Sequence, residues 1–471
     1  MDRNKGDATD RAVVDELLRR ARAAMAAFAD AGQARVDEAV TALAWSIYEP
    51  GRARALAELA VADTGLGNVD DKIAKNRRKT FGTLRDLARV KSVGVIEEDA
   101  AKGLVKWAKP VGVVCAVVPS TNPAATPVNK AMMAIKGRNA IVIAPTPAGA
   151  AATARAVEYM RAELAKCGLP EDLVQVVPPP VSRAVTETLM RACDLNVVTG
   201  SQNNVRAAYR SGTPSIGVGV GNVPVIVDST ADLAAAAEKI RASKTFDNAT
   251  SCSAENALVI VDDVYDRAVA ALEAAGGYMA RGAEKDRIRE TLWVDGQLNR
   301  KVIAKDADVF AREAGLGAAA EAARFFMVPE DGVGPDFPFS GEKLALVLAV
   351  YRAADFDAAL ARVQEILRHQ GGGHSCGIHT DDPAHARRLA EEVDVVRVLV
   401  NQAHCIGNGG SFDNGLNFTL SMGCGTWGGN SITENLSWRH FVNITHLSTV
   451  IPEDRPSEEA LFGDYWARRG R

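Results

Sequence analysis

Apolar and polar positions along the chain follow two rhythms. Residues 13–29 place apolar side chains at three- and four-residue spacing with Arg and Glu between them. That spacing predicts an amphipathic helix packed on its own domain, behind a polar opening of about ten residues expected to lie outside it. From residue 110 onward, short β-rich runs alternate with helices through 111–118, 131–136, 140–144, 148–166, 174–177, a helix near 181–192, and 195–199. Strands separated by helices of this length pair in parallel through right-handed crossovers, which predicts a doubly wound α/β sheet of the nucleotide-binding kind. A second series follows residue 252, with strands at 258–261, 344–349, 377–379 and 396–400 and helices at 356–368 and 384–393. It predicts a second α/β domain. There is no internal repeat, and the run Pro178-Pro179-Pro180 reads as a rigid loop.

Composition narrows the function classes. With 471 residues, 47% hydrophobic and 24% charged, the chain can bury a large core and divide into two or three domains. A formal net charge of -4 offers no broad basic field, so neither nucleic acid nor an anionic membrane is an expected partner. The longest apolar runs, 111–119 and 140–144, fall far short of the roughly 20 residues that span a bilayer. No charged-then-apolar leader opens the sequence, so a cytoplasmic protein is expected. Seven cysteines are scattered without a close pair, unlike a disulfide framework or a structural zinc site. His369, His374 and His379 lack helical metal-ligand spacing, and no metal is expected.

Chemistry begins at Cys252. The segment Thr245-Phe-Asp-Asn-Ala-Thr-Ser-Cys252-Ser-Ala-Glu255 connects a helix over 233–243 to the strand over 258–261, so this thiol sits on a connection among small polar neighbours. Taken alone, one loop cysteine decides nothing. Around it, however, lie Pro110-Val-Gly-Val-Val114, Val118-Pro-Ser-Thr-Asn122-Pro123, Lys136-Gly-Arg-Asn139-Ala140, Val198-Thr-Gly-Ser201, Phe246-Asp-Asn-Ala-Thr-Ser-Cys252, Glu342-Lys-Leu344 and Gly423-Cys-Gly-Thr-Trp-Gly-Gly-Asn430. In this order they resemble the aldehyde dehydrogenase superfamily over nearly the whole chain, and within it the CoA-acylating branch. The resemblance implies two doubly wound domains with a C-terminal oligomerisation segment. The expected division is 1–238 for coenzyme, 239–425 for catalysis, and 426–471 returning to the coenzyme domain and the subunit interface.

In such an enzyme a thiolate adds to an aldehyde, the oxyanion is stabilised, hydride leaves for the coenzyme, and a thioester remains on the cysteine. The resemblance assigns the thiolate to Cys252 and the oxyanion-hole amide to Asn122. For the coenzyme, NAD or NADP, it implies Ser120, Thr121, Thr146, Gly200, Ser201, Gly219 and Glu342. Ser201 caps a helix whose free backbone N–H groups suit a diphosphate, and Glu342 matches a ribose-binding glutamate. Ala144-Pro-Thr-Pro147 lacks the lysine that hydrolytic relatives place near the adenosine ribose, and Val205 stands where those relatives often have Gly. NAD and NADP therefore stay open at this point.

An absence points to the second acceptor. Hydrolytic relatives carry a glutamate that activates water, but Gly212-Thr-Pro-Ser-Ile-Gly-Val-Gly-Val-Gly-Asn222 holds no acidic residue. Loss of a positioned base slows water attack by about 10²–10⁴-fold, whereas a thiol near neutral pH needs less help. Coenzyme A is thus the expected co-substrate. The stretch from Asn401 through His404 to Phe418, with the tail 451–466, is similar to dehydrogenases acting on sulfoacetaldehyde. A sulfonate needs cationic or N–H donors, for which His404, Arg439 and His440 are the candidates. Succinate semialdehyde, acetaldehyde and other short aldehydes are alternative substrates. A hydrolytic enzyme and a shell-associated binding protein without catalysis are the alternative functions. Apolar positions Phe441, Val442, Ile444 and Leu447 beside an extended tail suit a neighbouring subunit, and the resemblance implies a homodimer or homotetramer.

Overall fold

The computed structural model describes residues 2–471. The polar opening expected outside the first helix is helical from Asp2, in a helix that runs Asp2–Phe28, while Met1 lies outside the described residues. Three further helices follow, Gln33–Tyr48, Pro50–Thr64 and Val69–Ala88, which the apolar pattern did not announce. An antiparallel pair, Gly94–Asp99 with Leu104–Pro110, then takes a third strand from the far end of the chain, Val442–Ser448.

The first sheet is wholly parallel, in the order Val174–Val176, Ala140–Ala144, Val113–Val117, Leu195–Val198, Ser215–Gly217. Every side chain of Val113–Val117 and Ala140–Ala144 is buried, as expected of strands covered by helices on both faces. The chain builds outward from Val113–Val117 in one direction and then crosses over to Leu195–Val198 on its other side. The connections leaving these two neighbours therefore diverge and open a crevice at their carboxyl ends, where α/β sheets bind ligands. The turns at that crevice are Pro119-Ser120-Thr121-Asn122 and Thr199-Gly200-Ser201. Lys130, buried on the helix Ala125–Lys136, donates to the carbonyls of Val117 (2.8 Å) and Val197 (2.9 Å), tying the two strands together at this point.

The second sheet is also parallel, with seven strands in the order Gly277–Met279, Phe325–Pro329, Val347–Ala353, Glu255–Val261, Val223–Val227, Gly373–His379, Val395–Val400. The strand expected at 344–349 begins later because Leu344 has φ +46° and Lys343 donates back to the carbonyls of Phe339 and Gly341, closing a turn there. The strand expected at 377–379 extends back to Gly373. Val223–Val227 and the helix Leu233–Thr245 belong to this second sheet and its core, so the change of sheet falls between Gly217 and Val223 and not at residue 238. Pattern alone missed this because the two sheets are joined by a short glycine-rich connection without a polar linker. Near the carboxyl end, Leu436, Trp438 and Phe441 are buried in the core of the first sheet. Among the described residues, no helix is long and apolar enough to cross a membrane.

Candidate active site

The five residues 218–222 carry the chain from the carboxyl edge of the first sheet to the amino edge of the second. Val223 pairs with Glu255, so the connection must pass beside the residues that precede Glu255, and these include Cys252. The glycines in it are explained by that contact. A Cβ at Gly221 would lie 2.2 Å from the carbonyl oxygen and 2.7 Å from the Cβ of Cys252, and one at Gly219 would lie 2.8 Å from Cys424 Sγ. Thus the backbone of the glycine loop is packed against the nucleophile loop and against the Gly423-to-Asn430 motif.

Three successive left-handed residues lead into Cys252: Asp247 (φ 50°), Asn248 (φ 52°) and Ala249 (φ 58°). Left-handed backbone costs roughly 1–2 kcal/mol per non-glycine residue, so the segment needs anchors. Asn248 Nδ2 donates to Asp306 (2.8 Å), and Asp247 accepts from Lys72, Lys75, Thr250 and the backbone N–H of Asn68. The Cys252 side chain beyond this bend keeps part of its surface open. Burial pushes its thiol up to about 12, with Glu342 and Cys424 adding to the rise, while Ser253 and Arg397 oppose it. Glu342 is itself pushed up to about 8 by burial.

Asn122 lies in the turn after Val113–Val117. Its Oδ1 accepts from Lys75 Nζ at 2.8 Å, which leaves Nδ2 with only a long contact, 3.4 Å, to Thr121 Oγ1. The Thr121 carbonyl accepts from Lys72 Nζ at 3.2 Å. Across the crevice, a groove of about 270 Å³ is lined by Pro145, Thr146, Ser182, Arg183, Ser201 and Asn204 among others. Two observations fit a bound nucleotide there. Thr146 Oγ1 is buried without a hydrogen-bond partner, and a Cβ on Gly200 would meet nothing closer than 4.0 Å, so the turn is open to a ligand. Ser201 caps the helix Gln202–Arg210, its hydroxyl accepting from Asn204 N. Among the described residues, no group of His, Cys, Asp or Glu side chains is arranged to hold a metal ion.

Residues 4–292 match the aldehyde dehydrogenase family model. The chain belongs to the aldehyde dehydrogenase family. It is 53% identical to a sulfoacetaldehyde dehydrogenase (acylating) of Cupriavidus necator, over 97% of this chain and 93% of that protein. It is 43% identical to a protein of the same description from Bilophila wadsworthia, over 97% and 99% of the two chains. In three dimensions it is similar to an acetylating aldehyde dehydrogenase of Geobacillus thermoglucosidasius, at a TM-score of 0.91 and 34% identity, covering 96% of this chain and 99% of that one.

Not every residue expected at the site of this aldehyde dehydrogenase is brought there. His404 is buried, with Nδ1 2.9 Å from the Ser253 carbonyl and Nε2 3.2 Å from that of Cys376. Both ring nitrogens are thus taken by main-chain carbonyls and neither is free for a sulfonate, so the ring, lowered to about 4 by burial, acts as a brace beneath the Cys252 loop. Arg439 lies over the Trp438 ring and lines a cavity with Val90, Ile96 and Lys106 beside the three-stranded sheet. His440 contacts Glu434 and its own turn. None of the partners of Arg439 and His440 belongs to the Cys252 loop or the crevice. Conversely, the chain pattern gave no notice of Lys72, Lys75 or Asp247. The only trace in the sequence was the polar character of Asp247, next to Asn248 in a segment otherwise notable for its cysteine.

Proposed function

We propose that the chain is a CoA-acylating aldehyde dehydrogenase whose substrate is sulfoacetaldehyde. The observation that carries the acylating reading is the glycine loop packed on Cys252. It has no carboxylate, and at Gly221 there is no room for one, because even a Cβ would fall within 2.2 Å of the Cys252 carbonyl oxygen. The Cys252 thiol releases its proton to solvent and Sγ attacks the aldehyde carbon, while Asn122 Nδ2 with the Cys252 backbone N–H stabilises the oxyanion. The nicotinamide coenzyme, when bound, takes the hydride. A thioester then remains on Sγ, and the CoA thiol attacks its carbonyl, leaving acyl-CoA and the free Cys252 thiol. Across the cycle, aldehyde, CoA and NAD(P)+ give acyl-CoA, NAD(P)H and a proton.

The crevice of the first sheet would hold the coenzyme through Ser120, Thr121, Thr146, Gly200 and Ser201, with Gly219 of the glycine loop and Glu342 of the second domain completing the site. A second cavity of about 320 Å³, sharing Arg183, Glu187 and Asn203 with the groove, is also lined by Arg191, Arg206 and Arg210. These arginines suit a phosphate carried on the adenosine of NADP or CoA. The cation facing an anionic substrate is Arg397 in place of His404. Arg397 is buried, its charge is felt at Cys252, and its Nε has no partner, while Nη2 donates to the carbonyls of His374 and Gly423 and Nη1 to Asn435 Oδ1. The helix Glu458–Arg469 buries none of its own residues and exposes Leu461, Phe462 and Tyr465, which supports a homodimer or homotetramer through the C-terminal segment. Seven unpaired cysteines fit a reducing cytoplasm.

The test is NAD(P)H formation from sulfoacetaldehyde, with and without CoA, followed by product analysis. Acyl-CoA formed only when CoA is present is expected, with loss of all turnover in Cys252→Ala. Steady turnover to the free acid without CoA would refute the acylating reading. A preference for acetaldehyde or succinate semialdehyde would refute the substrate.

A further inference from the structure

The helix Val69–Ala88 points a row of charged side chains inward. Asp71, Lys72 and Lys75, spaced to share one face, converge on the bend before Cys252. The Asp247 carboxylate at the centre is fully buried, and Lys72 and Lys75 are 4% and 5% exposed. Asp71 Oδ2 accepts from the Asp247 backbone N–H at 2.8 Å, and a Cβ on Gly67 would overlap the Asp247 carboxylate at 1.9 Å. The carboxylate can reach this helix only because Gly67, at φ +73°, leaves the way open.

Lys75 has three N–H donors, and all three are committed: to Asp247 Oδ2 at 2.6 Å, Asn122 Oδ1 at 2.8 Å and Thr250 Oγ1 at 3.3 Å. Thr250 in turn donates to Asp247 Oδ2 at 2.8 Å. No N–H is left over for a substrate, so Lys75 acts on other protein groups. Its effect on Asn122 follows from donor and acceptor counting. An ammonium only donates, so the amide edge facing it must be the oxygen. The opposite edge, the NH₂, is thereby turned outward, where its one contact is the 3.4 Å approach to Thr121 Oγ1. Without the ammonium, nothing else in the network would distinguish the two edges, and the flipped amide would aim a carbonyl oxygen at the developing oxyanion. A positive charge on Oδ1 also polarises the amide and strengthens donation from Nδ2.

We propose that Lys75, clamped by Asp247, is the positioning residue that sets which edge of the Asn122 amide meets the reacting carbonyl oxygen. This rests on Asn122 being the oxyanion donor. Because Asp247 also anchors the bend that carries Cys252, one buried carboxylate fixes both the nucleophile loop and the amide that answers it.

The test is a double-mutant cycle on the single-turnover rate of NAD(P)H formation, using the full-length enzyme with saturating coenzyme. Asn122→Ala is expected to slow this step by about 10²-fold. Lys75→Met is expected to slow it by about tenfold or more with little change in aldehyde KM, and by less than about threefold when Asn122 is already Ala. The rate of Cys252 alkylation by iodoacetamide should stay near that of the parent, which a collapsed loop would not allow. Asp247→Asn, of nearly the same shape, serves if Lys75→Met is insoluble; its loss should shrink beside Asn122→Ala, the remainder being the part carried by the Cys252 loop and read from its alkylation rate. Equal losses from Lys75→Met in both backgrounds would overturn the positioning role, as would an undiminished rate in Lys75→Met where Asn122→Ala is slow. A fast Asn122→Ala enzyme would instead overturn the oxyanion assignment beneath it.

Discussion

Replacing Gly221 with Ala is the smallest change that tests whether the glycine loop and Cys252 form one unit. The added Cβ would stand 2.2 Å from the Cys252 carbonyl oxygen, 2.7 Å from its Cβ and 2.9 Å from its carbonyl carbon. Carbon and oxygen in close contact lie about 3.3 Å apart, so the overlap is about 1 Å. All three clashing atoms sit on or next to the main chain, and no flexible side-chain end can swing away. Either the glycine loop or the Cys252 loop must therefore move by about an ångström. A displacement of that size at reacting atoms costs about 10²-fold in rate, while overpacking of this kind costs about 1–3 kcal/mol of stability.

The assay is single-turnover NAD(P)H formation alongside thermal unfolding. The Gly221→Ala enzyme is expected to be folded, somewhat less stable, and slower in acylation by about 10²-fold. Gly415→Ala provides the comparison, because a Cβ there would meet nothing within 4 Å. If Gly221→Ala acylated at the parent rate, the close packing of the glycine loop on the nucleophile would be refuted. So would the steric argument that no catalytic carboxylate can occupy that position.

Three further outcomes follow from the site. Since Glu342 adds to the elevation of the Cys252 thiol, Glu342→Gln should lower the thiol toward its ordinary value and raise the thiolate fraction below it. At pH 9, where Glu342 is ionised in the parent, iodoacetamide labelling should quicken by about three- to tenfold, in proportion to the gain in thiolate; an unchanged rate would place Glu342 too far from the thiol to matter. In the arginine-lined cavity, Arg206→Glu should raise KM by about five- to tenfold for the coenzyme whose adenosine phosphate binds there. Comparing NADP with NAD, and CoA with dephospho-CoA, identifies which one, and equal KM values throughout would rule out a phosphate site. Arg397→Lys keeps the charge but loses the planar fork, so KM should rise by about tenfold for sulfoacetaldehyde and by much less for acetaldehyde; parallel changes would mean that Arg397 only braces the loops around it.

Much of the fold was legible because parallel strands buried on both faces must be written as continuous apolar runs. Val113–Val117 and Ala140–Ala144 are of this kind, and the helices between them are long enough to fix the crossover. Cys252 and Asn122 were legible for a different reason, the order of several motifs along the chain and not the pattern around either residue. What failed was inference from residue type alone. A histidine beside a glycine-rich stretch is often accessible, which makes His404 look like a substrate cation, yet both its ring nitrogens face main-chain carbonyls that no local sequence pattern reveals. The change of sheet was hidden for a related reason: a connection of five residues is too short to carry a polar linker, and its glycines do not reveal which sheet each flanking strand joins.

The helix Val69–Ala88 shows why the remainder was hidden. Its inward face carries Lys72, Lys75, Asn76, Lys79 and Thr80, all buried, while Phe81 is exposed. Hydrophobic periodicity assumes that the buried face is apolar, and here the assumption is inverted, so the segment reads as a solvated charge run. The inversion is stable because each ammonium finds oxygen acceptors fixed by the fold: Asp247, the Asn122 amide and the Thr121 carbonyl for Lys72 and Lys75, and the Gly409 carbonyl at 2.8 Å for Lys79. Those acceptors lie some 50 to 330 positions away along the chain, so only the folded state brings them to the lysines. Burying cations costs stability unless they are paired, and burial lowers Lys79 to about 7 and Lys72 to about 8. A helix that accepts such a cost next to the nucleophile is one whose polar face is held by what it positions. On that ground Lys75, a residue without any apolar or motif signature, belongs with Cys252 and Asn122.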